Sequence, residues 1–189
     1  MGGAKTMRER MLAGELYIAD DPDLARESAR SRSLTHRLNT MDPTDTAGRR
    51  AILTELLGAF GADSEILPPF RCDYGYQISV GARTFANFGL TCLDVAKVTI
   101  GDDVQIGPNV QLLTPTHPIE PKPRRERWEA ALPIIIGDNV WLGGGVVVCP
   151  GVTIGENTVV GAGAVVTRDL PANVVAVGNP ARVVKTLTP

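Results

Sequence analysis

From Ile136 the chain reads Ile136-Gly137-Asp138-Asn139-Val140-Trp141, Leu142-Gly143-Gly144-Gly145-Val146-Val147, Val148-Cys149-Pro150-Gly151-Val152-Thr153, Ile154-Gly155-Glu156-Asn157-Thr158-Val159 and Val160-Gly161-Ala162-Gly163-Ala164-Val165, with Val166-Thr167 opening a sixth unit. An aliphatic residue heads every unit, and a glycine follows it in most. Four positions later comes a small or β-branched residue: Val140, Val146, Val152, Thr158, Ala164. An earlier array begins at Val80, continues at 86 and 92, gains two residues, and resumes at 100, 106 and 112. A beat of six fits neither the 3.6-residue helix nor a simple half-buried strand. It fits a short strand and a sharp turn, repeated.

Three such units close one triangular coil, and stacked coils make a parallel β-helix. The large aliphatic fills the prism. The glycine behind it is expected to permit the tight corner. Backbone groups pair with the coils above and below. A sandwich of short strands would recur at ~8–12 residues rather than six.

Outside this array the chain changes character. A short helix is expected around Thr6–Ala13. Asp21-Pro22 offers an N-cap and a first-turn proline, followed by Leu24, Ser28, Ser31, Leu34 and Leu38 at helical spacing. Asp42-Pro43 repeats the start signal ahead of an apolar stripe of Ile52, Leu53, Leu56, Leu57 and Phe60. Residues 1–62 therefore read as a helical segment, 63–77 as an extended connector through Pro68-Pro69, and 78–189 as the β-helix. An excursion loop over 113–133 interrupts the array. It holds Thr114-Pro115-Thr116-His117-Pro118 and Arg124-Arg125-Glu126-Arg127-Trp128. A long excursion from a rigid scaffold is a place to look for function.

Composition removes several classes. With 19 Lys and Arg against 21 Asp and Glu, the formal charge of this 189-residue chain is −2, so no nucleic-acid or anionic-membrane partner is expected. No apolar run reaches the ~20 residues of a membrane helix. Met1-Gly2-Gly3-Ala4-Lys5-Thr6 matches the loose myristoylation pattern, but nothing else points to a membrane. Cys72, Cys92 and Cys149 cannot all pair and form no CxxC, which suits a reducing, cytoplasmic setting. Two histidines, His36 and His117, are too few for a three-histidine zinc centre. That excludes the carbonic anhydrases built on the same coil.

Several stretches resemble the maltose/galactoside O-acetyltransferases, a family that includes the nodulation-factor type. They are Met11-Leu12-Ala13-Gly14-Glu15-Leu16-Tyr17, Phe70-Arg71-Cys72-Asp73-Tyr74-Gly75-Tyr76, Phe85-Ala86-Asn87-Phe88, Leu93-Asp94-Val95, Thr116-His117-Pro118-Ile119, Asn139-Val140-Trp141-Leu142-Gly143-Gly144 and Gly178-Asn179-Pro180-Ala181-Arg182. The resemblance runs from about residue 7 to 187. It lies nearer the maltose branch, since the galactoside branch carries a second acidic residue where this chain has Val95. It implies a left-handed coil, a homotrimer with sites between neighbouring prisms, acetyl-coenzyme A as donor and a sugar as acceptor, without a metal.

On that basis His117 is the expected general base, an imidazole being able to take a hydroxyl proton near neutral pH. His36 lies in a helical stripe and reads as a packing or surface residue. Asn87 matches an acceptor-side amide, expected to bond the acceptor or to act catalytically by stabilising the transition state. Asp73 and Asp94 match acceptor-binding carboxylates. Trp141 and Gly144 match the donor–acceptor junction, where a backbone N–H can hold an oxyanion. Ala162, Thr167 and Arg168 match the pantetheine side, and Arg182 and Lys185 the phosphate end. Cys72 beside Asp73 raises the thought of an acyl-enzyme, but no second histidine accompanies it. Two alternatives stay open at this point: an acetyltransferase acting on antibiotics, and a β-helix scaffold with no catalysis.

Overall fold

The computed structural model describes residues 4–188, so the Gly2 pattern lies outside the described residues. Helix α1 (Met7–Leu12) starts at a capping box: the Thr6 side chain accepts from the N–H of Glu9, whose carboxylate accepts from that of Thr6. Helix α2 (Pro22–Thr40) starts at Asp21 as expected. Helix α3 (Thr46–Leu56) begins later than Asp42-Pro43 suggested. Asp42 instead closes a local turn onto Thr44, and Asp45 caps the helix by accepting from Gly48 N.

After α3, apart from the excursion, the chain winds into three parallel sheets. One stacks Ala59–Phe60, Ile78–Val80, Val98–Ile100, Ile134–Ile136 and Thr153–Ile154. The second stacks Glu65–Ile66, Phe85–Ala86, Gln105–Ile106, Trp141–Leu142, Val159–Val160 and Val174–Val177, and Arg182–Thr186 folds back antiparallel on its end. The third stacks Arg71–Cys72, Thr91–Leu93, Gln111–Leu113, Val147–Val148 and Val165–Val166. The molecule is a parallel β-helix. In register, Phe60, Val80, Ile100, Ile136 and Ile154 form one interior column. Ile66, Ala86, Ile106, Leu142, Val160 and Ala176 form another, and Cys72, Cys92, Leu112, Val148 and Val166 the third. The residue four places on, such as Val140, Val146, Val152 or Ala164, is buried as well.

Two readings change. The extended connector over 63–77 is itself coil: Phe60, Ile66 and Cys72 keep the beat of six, so the prism begins at residue 59. The glycine after each aliphatic does not make the corner by adopting a left-handed backbone. Gly101, Gly137, Gly143 and Gly155 all lack a positive φ. A Cβ on Gly155 would lie 2.3 Å from the backbone nitrogen of Ala172, and one on Gly143 2.6 Å from that of Ala162. Glycine is there because the next coil's backbone presses on it. The left-handed residue comes two places later, and is Asp63, Arg83, Asp103, Asn109, Asn139, Asn157 or Asn173 at seven corners. Short polar side chains tolerate that region and here tie coils together. The Asn139 amide donates to Asn157 Oδ1, and the Asn157 amide to Asn173 Oδ1, each at 2.9 Å.

Helices α2 and α3 close the open end of the prism. Leu34, Leu38, Ile52, Leu53, Leu56 and Leu57 join the same apolar core as Ile66 and Ile78. This covers a sheet end that would otherwise offer unpaired backbone. A second, smaller cluster of Met11, Tyr17, Leu24, Tyr74, Val95 and Ala131 lies where α1, the turn after the first coil and the excursion meet.

Candidate active site

The excursion is ordered by pairing. Pro115–Thr116 runs antiparallel to Ala130–Ala131, and between them lies the short helix α4 (Pro121–Arg125). The segment leaving α1 is stitched to the same loop: Tyr17 N–H donates to the Glu129 carbonyl at 2.9 Å, and Glu129 N–H to the Tyr17 carbonyl at 3.0 Å. The Arg10 guanidinium stacks on Trp128, 5.6 Å from the ring centre. His117 is exposed at the head of the loop. It faces a cleft of about 350 Å³ walled by Ile18, Ala19, Arg124, Arg127 and Glu129. The helical segment therefore builds one wall of the histidine's cleft.

Asp94 lies beneath this region and is fully buried. Its carboxylate accepts the backbone N–H groups of Asp73 at 3.0 Å, Tyr74 at 2.9 Å and Gln77 at 3.3 Å. Gln77 returns two bonds, to the carbonyls of Asp94 and Val95. This corrects the expectation of a carboxylate open to the acceptor: all of its surface is occupied in shaping the 73–77 turn. Asp73, on that turn, stays partly exposed. Burial and then the nearby Glu129 push its carboxyl up to about 6. Burial pushes Asp94 up to about 7, against the pull of its N–H donors. Cys72, 3.3 Å from the Ser31 hydroxyl, is pushed by burial up to about 12. A thiol held neutral in this way is a poor nucleophile, so an acyl-enzyme through Cys72 gains nothing from the structure.

The remaining candidates lie elsewhere on the prism. Asn87, Gly144 and Ala162 lie along one edge, Gly144 and Ala162 on successive turns and Asn87 separated from Gly144 by the turn of Gly107 and Pro108, with bonds such as Gly163 N–H to the Gly144 carbonyl at 2.9 Å. Among the described residues, the Gly144 N–H donates to no carbonyl. Trp141 stands on the face beside that edge, 55% exposed. Arg182 and Lys185 are exposed on the closing antiparallel strand. Thr167 and Arg168 lie on the edge from which the excursion leaves, along with Asp73, Asp94 and His117. None of Asn87, Trp141, Gly144 or Ala162 lines the cleft at His117. A single chain thus carries the histidine, the turn of Asp73, Thr167 and Arg168 on one edge, and Asn87, Gly144 and Ala162 on another. Sequence reasoning missed Ile18, Ala19, Arg124, Arg127 and Glu129 as cleft residues. The loop's charge run was visible, but its partner segment was not.

Residues 10–61 match the maltose acetyltransferase hexapeptide capping motif, and residues 133–168 the bacterial transferase hexapeptide repeats. The galactoside O-acetyltransferase of Escherichia coli K12 is 41% identical over 179 residues, 95% of this chain and 88% of that protein. The chain belongs to the maltose/galactoside O-acetyltransferase family. A maltose O-acetyltransferase crystal structure from Clostridium difficile 630 superposes with a TM-score of 0.97 at 46% identity, covering 99% of this chain and all of the other. A galactoside acetyltransferase solved in complex with coenzyme A gives 0.94 at 39%, covering 98% and 92%. This acetyltransferase has no helix, among its described residues, long and apolar enough to cross a membrane.

The titration of Asp94 gives a stability test in this acetyltransferase. A carboxyl whose folded pKa is raised binds its proton more tightly in the fold than in the unfolded chain. Its contribution is therefore most favourable below about pH 4 and declines as the pH rises toward about 7. Asp94→Asn removes that slope. The thermal midpoint of the variant is expected to gain on the parent between pH 4 and 7, read by calorimetry. Parallel curves would mean that Asp94 is ionised throughout.

Proposed function

We propose that this acetyltransferase carries the acetyl group of acetyl-coenzyme A to a hydroxyl of a small sugar or glycoside, maltose- or glucose-like, by direct transfer with His117 as general base. The observation that carries the reading is the exposed imidazole at the head of an ordered excursion, over a cleft large enough for a sugar ring. The coenzyme A bound to the galactoside relative supports the donor. His117 takes the hydroxyl proton, and the oxygen forms a bond to the thioester carbonyl carbon. The tetrahedral oxyanion collapses by breaking the carbon–sulfur bond, and the departing thiolate regains the proton from the imidazolium. The Gly144 N–H holds the oxyanion, with Asn87 helping there or at the acceptor. Asp73 receives sugar hydroxyls, and Asp94 holds Asp73 in place. Trp141, Ala162 and Thr167 line the path of the donor, and Arg168, Arg182 and Lys185 meet its phosphates. No step calls for a metal.

The two-edge distribution of these residues supports a site assembled between copies, as a homotrimer in the cytoplasm would provide. The test is thiol release from acetyl-coenzyme A by purified protein across a panel of sugars. Turnover on maltose or glucose is expected. Arg182→Ala should raise the KM for acetyl-coenzyme A more than that for sugar. Silence on every sugar would return the scaffold reading.

A further inference from the structure

The His117 cleft has two walls that meet in few places. One is the segment leaving α1, with Ile18 and Ala19, and the other is the excursion, with Arg124, Arg127 and Glu129. Helix α4 of the excursion buries no residue. The Arg124 guanidinium ties it to the excursion's own Pro118 and Ile119 carbonyls, not to the prism. A segment with so little buried opens easily unless something outside holds it. Its root is held by the pairing of Pro115–Thr116 with Ala130–Ala131 and by the Tyr17–Glu129 bridge. Beyond that bridge the contact that crosses between the walls is Arg10 on Trp128.

Arg10 stands near the end of α1 on a fixed base. The Arg8 N–H donates to Asp21 Oδ2 at 3.0 Å, and Arg8 Nε to Glu27 Oε1 at 2.7 Å. The other oxygen of Glu27 accepts from the Tyr76 hydroxyl at 2.8 Å. Helix α1 is thereby bolted to α2 and to the turn that carries Asp73. From this base Arg10 reaches both walls. Its Nε donates to the Leu16 carbonyl at 2.6 Å, one residue before Tyr17, and its guanidinium lies over Trp128, one residue before Glu129. A planar guanidinium can stack on a ring by its face while it donates from its edge, which an ammonium cannot do.

Resting on the proposed sugar transfer, we propose that Arg10 is a positioning residue: through Leu16 and Trp128 it holds the two walls at one spacing, and so sets where His117 meets the acceptor hydroxyl. Arg10 does not line the cleft, so it touches neither acceptor nor base. Its leverage comes from the geometry of transfer. A misplacement of about 1 Å at the reacting atoms costs about a hundredfold in rate, even when the mutated residue is remote. The helical segment then does more than cover the prism's open end, because its first helix fixes the shape of the acceptor site.

The experiment is a double-mutant cycle of Arg10→Ala and Trp128→Leu, read on the sugar that the parent turns over best. Each single variant is expected to lose about tenfold in kcat/KM for sugar, with KM for acetyl-coenzyme A within about twofold of the parent. The thermal midpoint should fall by no more than about 4 °C, the scale of one exposed cation–π pair in a chain of this size. Arg10→Ala added to Trp128→Leu should cost less than about twofold more, because the two act as one unit. Trp128→Phe keeps an aromatic face and should recover most of the rate, which a role in apolar packing alone would grant to leucine equally. Hydrogen exchange supplies a reading apart from activity. In Arg10→Ala the amides of Tyr17 and Glu129 should lose about tenfold in protection, while those of Gly137 and Gly155 within the prism keep theirs. Parental kcat/KM in Arg10→Ala, independent losses in the cycle, or a lower rate with both bridge amides still protected would overturn the assignment and leave sugar transfer standing. A parent that acetylates no sugar would remove the proposed function, and this inference with it.

Discussion

Replacing His117 by alanine is expected to slow acetyl transfer by about 10²–10⁴-fold, with coenzyme A binding and thermal stability little changed. Stability should hold because the side chain is exposed and forms no hydrogen bond among the described residues. The donor should still bind because Trp141, Gly144, Ala162, Arg182 and Lys185, most of its proposed contacts, lie away from the histidine's edge. The pH profile makes the test sharper. A general base imposes an acid limb on kcat/KM, because its protonated form cannot take the hydroxyl proton. Asp73, pushed up to about 6, could imitate that limb. The two part company in Asp73→Asn. If His117 is the base, the limb survives there at lower efficiency, and it vanishes in His117→Ala. A rate within about twofold of the parent in His117→Ala would remove the residue from the chemistry. A limb that follows Asp73 would transfer the role.

The scaffold was legible because its signal is local and repeated. The beat of six from Ile136 to Val166 forces the same turn and the same inward side chain each time, so one window carries the reading of all. The first coil was harder. Phe60, Ile66 and Cys72 keep the beat, but Pro68-Pro69 and the lack of an Ile-Gly pair there look like a linker. The start of α3 was misplaced because Asp42 and Asp45 both cap a backbone turn, and only the geometry tells which N–H each one meets. His117 stood out by its loop and by the resemblance. The cleft around it did not. The link between Tyr17 and Glu129 is a single antiparallel bridge between irregular segments, with no periodicity to announce it. Asp94 shows the same limit. Its partners are backbone N–H groups, which every residue has, so a buried structural carboxylate and one open to a ligand look alike in sequence.

Gly155→Ala is the second large effect, and it tests why the repeat needs glycine. The added Cβ would stand 2.3 Å from Ala172 N, 2.7 Å from Ala172 Cα and 2.8 Å from Pro171 C. All three are backbone atoms of the next turn, which is itself fixed by the bond from Gly155 N–H to the Leu170 carbonyl at 2.9 Å. No side chain can swing aside, so relief must come from separating two turns and weakening their ladder. Overpacking of this kind costs about 3 kcal/mol or more, which lowers the thermal midpoint by roughly 6–12 °C in a chain of this size. Gly14 supplies the opposite case. It has a φ of 71° and nothing within 4 Å of a new Cβ. Gly14→Ala should therefore cost only the conformational term, about 1 kcal/mol or roughly 2–4 °C. If corner freedom were what the repeat glycines supply, the two variants would lose similar stability, or Gly14→Ala would lose more. A clear excess for Gly155→Ala assigns the glycine of each hexad to the close approach of stacked turns, the same approach that holds the two edges of the proposed site at fixed spacing.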